Sequence, residues 1–460
     1  MTGSTVVELR RALDSGEITS EALVEQRLAV AHASQARLNA FTELLDDRAL
    51  AEARRADVRI AAGAPRGPLD GIPFAVKDNI FVGRLRCTWG SRRWRDHRAL
   101  ESDVCTSRLA DGGAVLLGIT NTPELSSSQI TTSELYGVTR NPVDPALTPG
   151  GSSGGSAAVV AAGIVPFALG TDAGGSTRTP ASLTGVYGLR PSNGAIPRVT
   201  GFPALVPEFQ VIAILAAELD DVGVVLEITG GPDARDPASL SYRQRAPAPA
   251  PRIGWFDEVE GVRCDPVVSE RLRGAVLALR AQGLEVDRIV APYSLNAVVS
   301  AWDTLSAVGV SMALAQAPSP FEPIAPGLEQ ASARGRATTG EDYRTALDTL
   351  ADIRRTASVA LSDVDIVLCP STVTAAWPAD SVSPLGTDGT LFDPAILGAF
   401  THWVNALGFA ALSVPARPLD DGRPIGIQLV AASGCEPTLF AVARRLAALR
   451  AGVPQMKERS

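Results

Sequence analysis

Helix-like and strand-like arrangements of apolar positions take turns along most of the chain. Residues 4–62 read as three helices. Thr5 or Ser4 can cap VVELRRALDSG, Thr19 or Ser20 can cap EALVEQRLAVAHASQARL, and a third helix runs through DRALAEARRADVRIAAG. A Ser or Thr side chain at such a position accepts from N–H groups that the first turn leaves unpaired. The many alanines and arginines of these segments suit an outer layer wrapped on a core. The loop GAPRGPLDG follows, and IPFAVK reads as a short buried strand ending at Lys77. A helix over SDVCTSRLADGG and a strand over AVLLGIT come next. That alternation predicts an α/β sheet with helices on its faces.

Residues 120–150 are polar and turn-rich. Structureless stretches of that length inside compact proteins are usually functional or disordered, so this one is a candidate pocket wall. From Gly154 a small-residue helix, GGSAAVVAAG, leads to the strand IVPFALGT, and the turn DAGGS returns into another helix. Beyond Ser192 the pattern predicts a helix over ELDDVGVVLEITGG, a strand over PRIGWF, and helix then strand over VVSERLRGAVLALRAQGLEVDRIV. Long helices cover 295–316 and 340–361, and strands DVDIVLCPS and FAALSVPARPLDDGRPIGIQLVAAS return, the latter turning at Asp421-Gly422. The helix EPTLFAVARRLAALRAG closes the chain. The stretches 236–252 and 317–340 read as excursions, a variable lid within 230–340. Length alone would admit two or three domains, but no linker or repeat divides residues 1–460, so one large domain is expected.

Composition then narrows the function classes. A net charge of −8 argues against a general nucleic-acid or anionic-membrane surface. The five cysteines are scattered with no CxxC pair, and no HExxH occurs, which points away from a disulfide framework and from a zinc site. The N-terminus lacks the apolar core of a signal peptide. No uninterrupted apolar run reaches the roughly 18 residues of a membrane span. A soluble cytoplasmic protein is the expectation. Forty of the 42 basic residues are arginine; the lysines are Lys77 and Lys457. Arg does not deprotonate in a protein, whereas a buried Lys can shift its pKa far enough to act as a base. Lys457 lies in a polar tail that suits a solvated role, whereas Lys77 ends the apolar stretch LDGIPFAVK. Of the histidines, His32, His97 and His402, none belongs to a close pair, and there is no GxSxG elbow to favour a Ser-His-Asp triad.

Two Gly/Ser clusters, GGSSGG and DAGGS, flank the apolar run AAVVAAGIVPFALG, which no flexible linker would carry. Strand–turn–helix places Ser176 near a helix start, where free N–H groups favour developing negative charge. Ser176 could attack a carbonyl while the N–H groups of Ala173, Gly174 and Gly175 hold the oxyanion. A neutral Lys77 would be the base, relayed through a hydroxyl of the first cluster. On these residues alone a Ser/Lys hydrolase stands beside a well-packed glycine turn, because sequence does not show that the three meet in space.

The strings LDGIPFAVKDN, NTPEL, RNPVDPALTPGGSSGGSAA and GTDAGGSTRTPASLTGVYGLRPS resemble the amidase signature family, in its characteristic order. The separations of 75 residues from Lys77 to Ser152 and 24 from Ser152 to Ser176 fit it as well. NALGFAALSVPARPLDDGRPIGIQLV is similar to the family's closing region, so the likeness spans most of the chain and is strongest over 66–194. The resemblance implies a Ser-cisSer-Lys triad with Lys77 as base, Ser152 as relay on a non-prolyl cis peptide and Ser176 as the acylated nucleophile. It implies a supporting role for Ser153, and an ion pair of Asp172 with Arg178 that braces the turn. It implies no metal or organic cofactor, and one α/β domain with a mixed sheet of about ten or eleven strands covered by helices. The activity implied is hydrolysis of a small-molecule carboxamide to carboxylate and ammonia or amine, by a protein for which a homodimer would be unsurprising. The alternatives are the glutaminase subunit of a tRNA-dependent amidotransferase and a degenerate member that binds without catalysis. The chain departs from the family where Gly-Pro-(Met/Ile)-x-Arg is usual: VIAILAAELDD puts Ala213, Ile214 and Ala217 at the Gly, Pro and Arg positions. The stretch FVGRLRCTWGSR is about one residue short of the usual length, with Arg84 and Arg86 unusual there.

Overall fold

The computed structural model describes residues 5–451, so Ser4 and Lys457 lie outside the described residues. In chain order the strands are β1 (Phe41–Leu44), β2 (Pro73–Lys77), β3 (Val115–Thr120), β4 (Thr132–Ser133), β5 (Gly137–Val138), β6 (Phe167–Asp172), β7 (Tyr187–Arg190), β8 (Val211–Ala216), β9 (Ile253–Trp255), β10 (Glu258–Val259), β11 (Val262–Arg263), β12 (Val286–Arg288), β13 (Ile366–Pro370), β14 (Ala410–Pro415) and β15 (Gly426–Ala431). The helices are α1 (Val6–Asp14), α2 (Ser20–Leu38), α3 (Asp46–Ala61), α4 (Val104–Asp111), α5 (Gly154–Ala161), α6 (Arg178–Thr184), α7 (Leu219–Thr229), α8 (Pro237–Ser241), α9 (Pro266–Ala281), α10 (Leu295–Ala315), α11 (Pro326–Ala337), α12 (Gly340–Ala360), α13 (His402–Leu407) and α14 (Glu436–Ala451).

β4 pairs with β5 and β10 with β11 as small hairpins, and the remaining eleven strands form one mixed sheet, β1-β3-β2-β6-β8-β7-β14-β15-β13-β9-β12. Strands β3, β2 and β6 run parallel, as do β13, β9 and β12, while the middle of the sheet is antiparallel. This is the single-domain α/β architecture that the alternation of elements predicted. Both faces are covered, so β2 and β6 bury every residue instead of alternating. Phe74, Val76, Phe167 and Leu169 point into one core layer. Ala75 and Ala168 point into the other, against Val24 and Leu28 of α2 and Val159 and Val160 of α5.

Local signals account for the element ends. Thr5 and Glu8 form a reciprocal capping box on α1, and the Thr19 side chain accepts from the Ala22 N–H to start α2. The β14–β15 hairpin turns through Asp421-Gly422, with Gly422 at φ 88°. Three features go beyond what the pattern of positions predicts. The segment VIAILA is a fully buried strand, β8, paired antiparallel with β6 so that Ala213 faces Gly170 and Ile212 faces Thr171. Ala217 lies at the opposite end of that pairing, its N–H on the Pro166 carbonyl at 3.1 Å, so the three departures do not cluster at one place. The region 230–340 is spread over several parts of the fold. Its strands β9 and β12 belong to the sheet, and 236–252 runs to α14, where the Ala248 N–H meets Thr438 Oγ1 at 2.9 Å. Residues 317–340 hold α11, which packs on α10. Finally, α10 is the one helix among the described residues long and apolar enough to cross a membrane by length and composition. Here it packs against α11, α12 and α13.

Candidate active site

Parallel strands β2 and β6 are neighbours in register, Val76 beside Leu169, so their C-terminal ends bring Lys77 and Thr171 together. Ligand sites of open α/β sheets form at such strand ends. Lys77 has no solvent contact. Its Nζ stands 2.8 Å from Ser152 Oγ and donates to Ser153 Oγ and Thr171 Oγ1, each at 3.0 Å. Burial holds its pKa well below the ordinary lysine value, and the Asp172 charge opposes this only in part. Asp78, next in the chain, turns away to accept from the Thr88 N–H at 2.8 Å. The peptide bond between Gly151 and Ser152 is cis. Thr122 Oγ1 donates to the Ser152 carbonyl at 3.1 Å, and α5 begins directly after Ser153.

Ser153 Oγ donates to the Thr171 carbonyl at 3.1 Å, and its N–H donates to the Ser176 carbonyl at 3.0 Å. The two Gly/Ser clusters are thereby joined backbone to backbone. Lys77, Ser152 and Ser153 form one hydrogen-bonded group; Ser176 lies beside them and is the half-buried member. Gly175 takes φ 111°, a left-handed geometry that a side chain would resist. That turn directs the Gly175 N–H to Asp172 Oδ1 at 2.9 Å. Gly175, expected among the oxyanion donors, is thus already engaged, whereas the N–H groups of Ala173, Gly174 and Ser176 have no partner among the described residues.

Asp172 and Arg178 make a fully buried two-point ion pair, Arg178 Nη2 to Oδ1 at 2.8 Å and Nε to Oδ2 at 3.0 Å. Burial by itself would raise the Asp172 pKa, but Arg178 outweighs it and holds the carboxylate below its ordinary range. Arg178 also donates to Gln428 Oε1 and Asn405 Oδ1, both at 2.5 Å, and to the Thr401 carbonyl at 3.2 Å. The pair clamps the turn over residues 172–178 to β15 and α13.

Several polar neighbours escaped the sequence reading. Thr171 is one, and Asn79 is another, its Nδ2 donating to Thr171 Oγ1 at 2.9 Å and to Ser126 Oγ at 3.1 Å. Both stand inside the motif strings GTDAGGS and VKDN, which was the available signal. Asn405 and Gln428 come from the closing region, and Trp302 and His402 border the turn from α10 and α13. Among the described residues no group of three or more His, Cys, Asp or Glu is arranged to hold a metal ion.

The chain is similar to known proteins over nearly its whole length. Residues 22–440 fit the family model described as Amidase. The chain is 32% identical to a glutamyl-tRNA(Gln) amidotransferase subunit of Synechococcus sp. (strain CC9605), covering 96% of this chain and 95% of that protein. It is 33% identical to the same subunit of Chloroflexus aurantiacus, with 95% of each covered. Among solved structures, a chain of a vestigial protein complex that reveals the evolutionary origins of an s-triazine catabolic enzyme superposes with a TM-score of 0.87 at 30% identity, covering 99% of this chain and all of that one. A bacterial aryl acylamidase of the amidase signature family superposes with a TM-score of 0.87 at 25% identity, covering 98% and 96%. The peptide amidase of Stenotrophomonas maltophilia gives 0.81 at 26% identity, covering 97% and 96%. The chain therefore belongs to the amidase signature family, and it is a hydrolase acting on amide C–N bonds.

Proposed function

We propose that this protein is a cytoplasmic amidase that hydrolyses a small-molecule carboxamide through an acyl-enzyme on Ser176. The observation that carries this reading is the fully buried Lys77, in contact with three hydroxyls and no carboxylate. A lysine so placed gives up its proton far more readily than an exposed one, and in this reading it works as the neutral amine. A neutral amine has N–H groups to donate and a lone pair to accept with. Ser153 directs its proton at the Thr171 carbonyl, and Thr171 Oγ1 already accepts from Asn79, so these hydroxyls suit the Lys77 N–H donors. Ser152 is then the hydroxyl left to give its proton to the lone pair while taking one from Ser176.

In the cycle, Ser176 Oγ bonds to the amide carbon as its proton passes through Ser152 to Lys77. The oxyanion rests on the N–H groups of Ala173, Gly174 and Ser176, each worth roughly 3 kcal/mol in the transition state. The proton returns through Ser152 to the leaving nitrogen as the C–N bond breaks. Water then attacks the ester, giving up its proton by the same route and releasing carboxylate. Ser153 supports Ser152, and Asp172 with Arg178 holds the turn in place.

A second reading, the glutaminase subunit of a tRNA-dependent amidotransferase, is favoured by the identity to the amidotransferase relatives. Ammonia release from a carboxamide panel that includes glutamine, with and without candidate partner proteins, separates the two. Turnover of simple carboxamides by the isolated protein, eluting as monomer or homodimer, is expected. Glutamine turnover only in a complex overturns the first reading, and failure of a fluorophosphonate probe to modify Ser176 in folded protein overturns both.

A further inference from the structure

The nucleophile turn is flanked by aromatic rings that the proposed cycle does not use. Trp302 of α10 and His402 of α13 stack with centroids 4.4 Å apart and planes 13° apart, and Phe209 backs Trp302 at 5.5 Å. The stack abuts Gly174: a Cβ there would stand 2.5 Å from His402 Cδ2, 2.6 Å from its Nε2 and 3.2 Å from Trp302 Cη2. A Cβ on Gly398 would overlap the same imidazole. Thr401, just before His402, donates its hydroxyl to the Gly174 carbonyl at 2.7 Å. The ring is therefore held in a fixed place relative to Ser176.

Exposure shows which of these groups reach solvent. Within 171–180 only Ala173 and Ser176 are half-buried and not buried, and Trp302 and His402 beside them are half-buried too. Neither ring nitrogen of His402 has a hydrogen-bond partner among the described residues. Burial, with Arg178 adding to it, lowers the His402 pKa to about 4, so the imidazole is neutral and offers one donor and one acceptor. The charges beneath the turn, Asp172 and Arg178, are spent on each other.

We propose that His402 and Trp302 form the acyl-binding wall of this site, with His402 hydrogen-bonding the substrate and the stack selecting planar, uncharged carboxamides. This rests on the assignment of Ser176 as nucleophile. A flat neutral acyl group meets ring surface and an unused polar nitrogen there. The charged α-carboxylate and α-amine of glutamine meet no counter-ion in this wall, and desolvating an unpaired charge is strongly unfavourable. A polar group built to be bonded by substrate also rejects substrates that leave it unpaired.

The test is calorimetric binding of benzamide to the Ser176→Ala protein, with L-glutamine as competitor. Benzamide is expected to bind, and glutamine at equal concentration to leave it bound. Adding His402→Ala weakens benzamide about tenfold, and His402→Gln, which keeps a donor and an acceptor, recovers most of the loss. Trp302→Leu weakens benzamide more than acetamide, and supplies the same test should His402→Ala fail to fold. No benzamide binding, unchanged affinity in a folded His402→Ala protein, or glutamine binding more tightly than benzamide overturns the proposal. The titration does not read turnover. Absence of hydrolysis and acylation in the unmutated protein would remove the Ser176 assignment, and the same titration would still decide the selectivity of the wall.

Discussion

Arg178 and Lys77 flank the same turn and neither touches solvent, yet their surroundings differ in kind. Arg178 is met by the Asp172 carboxylate at two points and by the oxygens of Gln428, Asn405 and Thr401. Lys77 is met only by hydroxyls. A buried cation with a direct counter-ion and filled hydrogen bonds stays charged and becomes part of the frame. A buried amine without one gives up its proton and becomes available to accept another. The two residue types match these roles, since guanidinium does not deprotonate and an amine does. Arg178 keeps its charge as part of the frame, whereas the setting of Lys77 favours the neutral amine that the proposed proton transfer requires.

The sharpest way to break this contrast is to make the two sites alike. Lys77→Arg places a permanent charge where a neutral base is required, and kcat is expected to fall by about 10²–10⁴-fold; near-normal turnover would sink the base assignment. Arg178→Met strands Asp172 as an uncompensated buried charge. Urea unfolding should show a loss of about 3–5 kcal/mol, with Asp172→Asn in the same protein restoring part of it. If Arg178→Met leaves stability unchanged, the clamp is not what holds the turn.

The pH dependence of the two sites should have opposite origins. The Lys77 pKa is lower folded than unfolded, so between those values the unfolded chain binds a proton that the folded one lacks, and stability rises with pH. The wild type should therefore gain on Lys77→Met between pH 7 and 9, by at most about 1.4 kcal/mol per unit. Asp172 is depressed by folding, so its contribution is complete above the unfolded carboxyl value, near 3.9, and is lost as pH falls further. A flat difference between wild type and Lys77→Met over pH 7–9 would mean that the lysine is charged in the fold. The smallest expected effect is that of Thr171→Val, which removes one acceptor from Lys77 and the partner of Asn79. A roughly tenfold loss of kcat with little change in KM fits a group that orients the base; a pure KM effect would place Thr171 in substrate binding instead.

How much of this could be read from the chain depended on how local each signal is. Capping at Thr5, the buried strand ending at Lys77, the DAGGS turn and the Asp421-Gly422 hairpin all sit within a few residues of what they specify. β8 was missed for a physical reason: VIAILA is buried on both faces, so it shows neither helical nor strand periodicity. β1 and β7 escaped because four-residue strands gain their identity from neighbours in the sheet. In the site, Lys77, Ser152, Ser153, Asp172, Ser176 and Arg178 stood out by residue type and motif. Thr171 and Asn79 lay in those motifs without a visible role, since their bonds cross between segments. The Gly175 N–H, expected to face an oxyanion, turned out to face Asp172, an outcome set by one backbone angle.

By itself the sequence determined the α/β alternation and the family, and it singled out the residues proposed here as reactive, because residue type and short-range order carry those. Which hydroxyls surround Lys77, which amides of the turn have no partner among the described residues, and that a tryptophan and a histidine a hundred residues apart close on Gly174 were decided only by the tertiary structure. Protonation and selectivity depend on burial and on partners brought from distant strands and helices, and neither is a property of a residue's neighbours in the chain.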